Sequence, residues 1–241
     1  MIRRWINGMI GITGYQISRR PSFQTDLIRG KFRWLQETRI ATVLDVGANT
    51  GQFAVMARQL WDEAMIYSFE PLASCYMQLC DNTSTLQPIR CFPIALGEHE
   101  GSITMQKNDF SPSSSILKLG EAHAKAFPFA VNVVEEEVKM STLDAVSRSL
   151  DLSPGVLLKI DVQGYELQVL RGGRATLPHI ELVIVETSFV ELYEGQPLFW
   201  EVYQLLHEYG FHYVGALEQL VDPASGAILQ ADSIFRNARA V

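Results

Sequence analysis

The chain has 241 residues, 47% of them hydrophobic and 20% charged, with a net charge of −7. That length fits one large α/β domain with a short N-terminal extension better than two full domains. The acidic balance argues against non-specific nucleic-acid binding, which needs a basic face to neutralise phosphates. Cys75, Cys80 and Cys91 are an odd number of cysteines at spacings that match no zinc pattern, so neither a disulfide framework nor a structural metal is expected. They read as small buried apolar residues, and the cytoplasm is the default compartment.

The first residues carry Arg3 and Arg4 and then mixed apolar side chains, without the uninterrupted apolar core of a signal peptide. No apolar run reaches membrane-spanning length. Trp5, Ile6, Met9 and Ile10 share one face of an expected helix. It packs on the domain, with membrane-surface contact as the alternative. Residues 1–38 are thus expected to form an N-terminal helical extension, and residues 39–241 the main domain.

Residues 42–47 form a short apolar run ending in an acid and a glycine, the pattern of a buried parallel strand. Phe53, Ala57 and Leu60 then recur at helical spacing. Residues 65–70 read as a second strand, stopped by Pro71. A helix is expected over 72–81, with Leu72, Tyr76, Leu79 and Cys80 on its apolar side. Residues 89–96 read as a third strand. This alternation implies a parallel sheet with helices on both faces. Residues 97–140 break the rhythm and read as an insertion, with extended segments at 102–106 and 135–140. A helix is expected over 142–150, a fourth strand over 156–161, a helix from Tyr165 and a fifth strand over 180–186. Residues 198–209 read as a helix, and 211–216 and 232–236 as late strands able to pair as an antiparallel hairpin.

The most informative stretch is Leu44-Asp45-Val46-Gly47-Ala48-Asn49-Thr50-Gly51. Gly47 and Gly51 allow a tight turn and close approach of a ligand to the backbone. The helix that follows presents free N–H groups at its start. The spacing is Gly-x-x-x-Gly, not the Gly-x-Gly-x-x-Gly that seats a dinucleotide pyrophosphate. An acid before the glycines suits a ligand carrying an ammonium group, as the amino-acid part of S-adenosylmethionine (SAM) does; a diphosphate gains nothing from Asp45. Glu70, at the end of the second strand, can accept both hydroxyls of a ribose. Nicotinamide enzymes use the same device, so a solvated strand-end acid or an oxidoreductase is the competing reading of Glu70 alone. No Gly-Lys-Ser/Thr is present, so a P-loop is unsupported.

Two later stretches, LKIDVQGYELQVLRG (158–172) and VETSFVELYEGQPLF (185–199), join this loop. Together the three resemble the FkbM family of methyltransferases, over residues from about 40 to 236. The resemblance implies a Rossmann-like class I sheet, SAM as methyl donor and, for many members, O-methylation of sugars or natural products. Position by position, it implies SAM contacts at Asp45, Gly47, Asn49 and Gly51, ribose binding by Glu70 and shaping of the adenosine pocket by Pro71. It also implies an adenine wall at Ala95, Leu96 and Gly97, and places Asp161 at the methyl-transfer cleft. Where such sequences often carry Glu, this chain has Gln163.

Transfer to a hydroxyl needs an in-line acceptor and benefits from a base. Asp161, at the end of the fourth strand, is the first candidate to orient or deprotonate the acceptor; an N-cap role for the next helix competes. Lys159 lies on the same strand face. It can pair with Asp161 or Glu186, or act as a base if its pKa is lowered; a structural ion pair is the favoured reading. Asp161 and Glu186 could hold acceptor hydroxyls, or as a minority reading a divalent cation. Among the five histidines, only His123 could reach the cleft, and a solvated surface role competes. Ser113, Ser114 and Ser115 are a candidate contact loop. Tyr193, Glu194, Gln196 and Phe199 follow the fifth strand, where an acceptor pocket should form. The expected partner is a small-molecule or glycan acceptor. A nucleic-acid acceptor is disfavoured: the chain lacks the Asn/Asp-Pro-Pro-Tyr/Phe element and the Pro-Cys pair of such enzymes. A nicotinamide oxidoreductase and a catalytically silent binding protein on the same fold are the other readings.

Overall fold

The computed structural model describes residues 33–108, 115–117, 133–222 and 225–238. The Trp5 to Ile10 face, Ser113, Ser114 and His123 lie outside them. In chain order the first elements are α1 (Arg33–Glu37), β1 (Thr42–Val46), α2 (Gln52–Leu60), β2 (Met65–Phe69), α3 (Ala73–Thr83), β3 (Ile89–Phe92) and β4 (Ala95–Gly97). Next come β5 (Gly101–Asn108), β6 (Val133–Thr142), α4 (Leu143–Ser147), β7 (Val156–Ile160) and α5 (Glu166–Arg171). The last are β8 (Ile180–Ser188), α6 (Phe199–Glu208), β9 (Phe211–Val221) and β10 (Ile228–Asn237).

The central sheet has the order β3-β2-β1-β7-β8-β10-β9. Strands β3 to β8 in that row are parallel, and β10 runs antiparallel to both β8 and β9. This is the mostly parallel Rossmann-like sheet with an antiparallel C-terminal pair. Its central strands β1 and β7 are buried at every position, as parallel strands covered on both faces must be. Val43, Leu157, Leu182 and Ile184 point to one face and pack with Leu35 of α1 and Ala54 and Ala57 of α2. Leu44, Val46, Leu158, Ile160, Val183 and Val185 point to the other and meet α5 and α6 through Val169, Leu170, Val202 and Leu206. The period-two alternation of side chains sets this division.

The expected third strand over 89–96 is two strands. β3 ends at Phe92, and β4 starts at Ala95 in a different sheet, of order β4-β6-β5. Pro93 explains the break, since it lacks the N–H needed to continue a ladder. The extended segments at 102–106 and 135–140 belong to β5 and β6, an antiparallel pair; β4 joins β6 in parallel. Ala95, Met105 and Val138 of this small sheet pack on Leu72 and Cys75. That contact refines the inward face of the helix after Pro71, where the expected Leu72 and Leu79 are buried. Cys75, Leu79 and Thr83 face inward, whereas Tyr76 and Cys80 are only half-buried.

Helix α5 meets the small sheet at Gly172, the residue that caps the helix. A methyl group at Gly172 would lie 2.0 Å from the carbonyl oxygen of Gly97 in β4. That neighbour is backbone and cannot rotate away. Overpacking of this kind costs about 1–3 kcal/mol, and each kcal/mol moves Tm by roughly 2–4 °C for a domain of this size. Gly172→Ala should therefore lower the thermal midpoint by several degrees in a circular dichroism melt. An unchanged midpoint would mean that α5 does not approach β4 this closely.

Candidate active site

The carboxyl ends of β1, β7 and β8 and the amino-terminal half of the antiparallel β10 bring charged residues onto one face of the sheet. β1 supplies Asp45, β7 Lys159, β8 Glu186 and β10 Asp232. Asp45 sits opposite Lys159 in register, and Glu186 opposite Asp232. They share the face of Val43, Leu157, Ile184 and Ile234, so they continue that apolar layer upward into the loops.

Beyond β1 the backbone turns at Gly47, with φ 80°. A methyl group there would lie 1.8 Å from the carbonyl oxygen of Asp161, so only glycine lets the β1 and β7 ends approach this closely. Asn49 also has a positive φ, of 48°. Its N–H donates to Glu70 Oε2 at 2.9 Å, and the Leu72 N–H donates to Glu70 Oε1 at 2.9 Å. Glu70 is thus no solvated strand-end acid. It is buried and ties the loop after β1 to the loop after β2. Each of its oxygens still has lone-pair capacity for a ligand hydroxyl.

Among the described residues, two of the clefts on this edge adjoin the glycine turn. The first, of about 210 Å³, is lined by Gly47, Asn49, Glu70 and Pro71, by the apolar side chains of Leu72, Ile94, Ala95 and Leu96, and by Asp161, Gln163 and Glu186. The second, of about 300 Å³, is lined by Asp45, Gly47, Asn49, Gln52, Phe53, Lys159, Asp161 and Asp232 among others. Gly47, Asn49 and Asp161 are common to both, so the clefts meet across the glycine turn. Gly51 lines neither. It begins α2 with φ 94° and packs toward Thr83 and Leu79 of α3, so its requirement is the turn and the helix contact. Asp45 faces the second cleft only.

Lys159 is 5% exposed. Its Nζ donates to Asp232 Oδ1 at 2.9 Å and lies 3.5 Å from Asp161 Oδ2. Burial disfavours its charge, but Asp232, Asp161 and Glu186 together outweigh that and raise its pKa above the usual lysine value. The condition for a basic lysine, a lowered pKa, is not met. The principal partner is Asp232, a residue not anticipated from the motifs.

Asp161 does not cap the next helix. The N-cap position of α5 is Tyr165, with no side-chain cap. Instead Glu166 Oε1 accepts from the N–H groups of Val162 and Gly164, at 3.2 and 3.0 Å, and closes the turn from within. The Asp161 side chain is left free to face the clefts, 38% exposed. Its Oδ1 accepts from Gln163 Nε2 at 2.7 Å, and the same nitrogen donates to Glu186 Oε2 at 2.8 Å. Gln230 Nε2 also donates to Glu186 Oε2, at 3.1 Å. Burial, then the neighbouring Asp161, Glu166 and Asp232 carboxylates, raise the Glu186 pKa well above the ordinary range, against the pull of Lys159.

Of the post-β8 candidates, Tyr193 and Gln196 are buried and Glu194 is exposed. Tyr193 OH donates to Gln163 Oε1 at 2.7 Å. Phe199 is a core-side aromatic, stacked with Phe189 and Tyr203. Ser115 is buried and donates to the Gln163 carbonyl. Cys75 is buried, Cys80 and Cys91 are half-buried, and none of the three is in a disulfide. Among the described residues, no group of three or more His, Cys, Asp or Glu side chains is arranged to hold a metal ion, and no helix is long and apolar enough to cross a membrane.

A family model, the Methyltransferase FkbM domain, matches residues 45–213. The chain belongs to the FkbM methyltransferase family. The match starts at Asp45 and contains every residue of the two clefts named above except Asp232. Among relatives, the 2-O-methyltransferase NoeI of Sinorhizobium fredii is 30% identical over 170 residues, 64% of this chain and 66% of its own length. The hexuronic acid methyltransferase AglP of Haloferax volcanii is 27% identical, over 63% of this chain and 58% of its own. The chain therefore spans about two thirds or less of these relatives. The solved structure of WbdD with the kinase inhibitor LY294002 aligns over 91% of this chain and 41% of that one, with a TM-score of 0.50 and 12% identity, a likeness of fold alone.

Burial pushes the carboxyls of Asp45, Glu70 and Glu166 each up to about 7, against the hydrogen bonds from Ser68 to Asp45 and from backbone N–H groups to the two glutamates. In the unfolded chain such groups titrate near 4. Between about pH 4 and 7 the folded chain holds more protons than the unfolded one, so stability falls as pH rises through that window. The urea midpoint should accordingly drop between pH 5 and pH 8, and Asp45→Asn should drop less. An equal drop in both would show that Asp45 titrates normally in the folded chain.

Proposed function

We propose that this FkbM chain transfers the methyl group of SAM to a hydroxyl of a sugar, glycan or natural-product acceptor. The observation that carries it is the pair of clefts meeting at Gly47, Asn49 and Asp161, with a buried acid on either side. The donor set fits SAM. Glu70 would accept the ribose hydroxyls, and the apolar wall of Leu72, Ile94, Ala95 and Leu96 beside Pro71 suits adenine. Asp45, across the turn, would take the ammonium. Family membership supports the methyl donor. The relatives whose names specify 2-O-methyl transfer and a hexuronic acid acceptor support a hydroxyl on a sugar-like molecule.

When bound, SAM supplies an electrophilic methyl group on a positively charged sulfur. The chain's part is to present an oxygen in line with it and take up the proton. Asp161 borders both clefts and would orient the acceptor hydroxyl, with Glu186 holding a second position on the same molecule. The acceptor oxygen would take the methyl group as its bond to sulfur breaks, and the hydroxyl proton would pass to a carboxylate of this pair. Lys159 would act by position. Its fixed charge, shared between Asp232 and Asp161, keeps carboxylates close together that would otherwise repel. Positioning of this kind accounts for a large part of the barrier reduction in two-substrate reactions.

Incubating the protein with methyl-labelled SAM and a glycan or metabolite extract should yield labelled products by mass spectrometry. Glu70→Ala should weaken SAM binding in calorimetry on the order of tenfold or more, the loss of roughly one charge-assisted hydrogen bond. Asp161→Asn should cut labelling on the order of a hundredfold, the usual size of a lost general-base contribution, with SAM binding retained. Binding of NADH in place of SAM, or SAM binding without any labelled product across broad extracts, would overturn the proposal in favour of an oxidoreductase or a silent binding protein.

A further inference from the structure

Asp161 and Glu186 present two carboxylates to one small space. Such a pair stands together only if something between them satisfies both: a shared proton, a cation or a hydrogen-bond donor. Here the intervening group is the Gln163 amide. Its Nε2 lies 2.7 Å from Asp161 Oδ1 and 2.8 Å from Glu186 Oε2, one hydrogen for each carboxylate. Both of its side-chain N–H donors are thereby used.

The orientation of the amide is set from both sides. The carboxylate oxygens in front accept from its nitrogen, and Tyr193 OH behind donates to Gln163 Oε1 at 2.7 Å. Tyr193 is buried, and its loop is held in turn by Gln196 Oε1, which accepts from the N–H groups of Leu192 and Tyr193 at 2.9 and 2.6 Å. The backbone is fixed as well. Gln163 has φ 54°, the left-handed region that non-glycine residues seldom enter, and its carbonyl accepts from buried Ser115. A side chain held at backbone, nitrogen and oxygen ends is built to position what it touches.

We propose that Gln163 is a positioning residue that sets Asp161 and Glu186 as a matched pair for the acceptor, and that its amide nitrogen fills the place a bridging divalent cation would need. The inference rests on the methyl-transfer reading for the word acceptor, but its cation half does not. A divalent ion binds through oxygens at about 2.0–2.6 Å. An amide nitrogen carrying its hydrogens offers no lone pair to it. A cation between the carboxylates would require the amide to leave or to turn its oxygen inward, and either move gives up both hydrogen bonds from its nitrogen. Asp161 Oδ2, 3.5 Å from Lys159 Nζ, and Glu186 Oε1 are not used by the amide and keep lone-pair capacity for a hydroxyl.

Two measurements test this on the full chain. The first is Mn²⁺ binding by electron paramagnetic resonance, which needs no acceptor. The unaltered protein should leave Mn²⁺ free at micromolar concentrations, while Gln163→Glu, which puts a third carboxylate where the donor was, should bind it at least tenfold more tightly. Micromolar Mn²⁺ binding by the unaltered protein that Asp161→Asn abolishes would overturn the proposal. The second is labelled methyl transfer to whichever acceptor the extract yields. Gln163→Ala should lower kcat at least tenfold with affinity for the demethylated product S-adenosylhomocysteine within threefold, and Tyr193→Phe should fall in the same direction by less. A purely structural role would instead lower S-adenosylhomocysteine affinity along with kcat, or leave kcat unchanged in a folded variant. Failure to bind S-adenosylhomocysteine at all in the unaltered protein would sink the methyl-transfer reading itself, whatever the Mn²⁺ result.

Discussion

The carboxyl edge of this sheet depends on one buried ammonium. Lys159 lies in the middle strand of the sheet, 5% exposed, with Asp45 of β1 opposite it and Glu186 of β8 on its other side. Withdrawing an ammonium from water costs several kcal/mol, and here the cost is offset by Asp232 at 2.9 Å and Asp161 at 3.5 Å. The arrangement works in both directions. The carboxylates make the lysine tolerable, and the lysine lets Asp45, Asp161, Glu186 and Asp232 crowd onto one sheet face. Without it the same burial would protonate more of them or push them apart. The grouping of these carboxylates is therefore a consequence of charge balance inside the sheet, prior to any ligand.

Backbone proximity is the second constraint. Gly47 lies so close to the Asp161 carbonyl that no side chain fits between them. The loop after β1 and the loop after β7 are thus one unit, reinforced by Glu70 from the β2 side and by Glu166 inside the β7 turn. The clefts on either side of Gly47 inherit that rigidity. A ligand spanning them would meet walls already assembled, which lowers the ordering cost of binding.

Much of this was legible along the chain. Alternating apolar runs and helical periods predict the parallel sheet, because buried strands and amphipathic helices leave strong local patterns. Asp45, Gly47, Glu70 and Asp161 stand at strand ends, where ligand edges of α/β sheets lie. Pro93 carried the signal that splits the third strand from β4, although a continuous apolar run masked it. The hydrogen-bonded turn drawn in by Glu166 had its signal too, an acid three residues after Gln163 and two after Gly164. An acid in that position is easily read as helix surface. In α3 the expected Leu79, with Leu72 before it, is buried; Tyr76 and Cys80 are apolar enough to look inward yet stay half-buried, and the small sheet that selects Cys75 instead comes later in the chain.

What the sequence by itself determined is the layered α/β frame, the family and the row of strand ends where chemistry belongs. These follow from local periodicity and contiguous motifs. Only the tertiary structure decided which side chains meet there. Asp232 is 73 residues from Lys159 and arrives because β10 inserts between β8 and β9. Tyr193 reaches Gln163 across 30 residues. Such partners leave no spacing in the chain, since a pair made by strand order depends on the route of the whole backbone. The same long-range packing decided the state of Lys159. Its residue type allowed either a neutral base or a fixed cation, and the carboxylates gathered around it hold it as the cation.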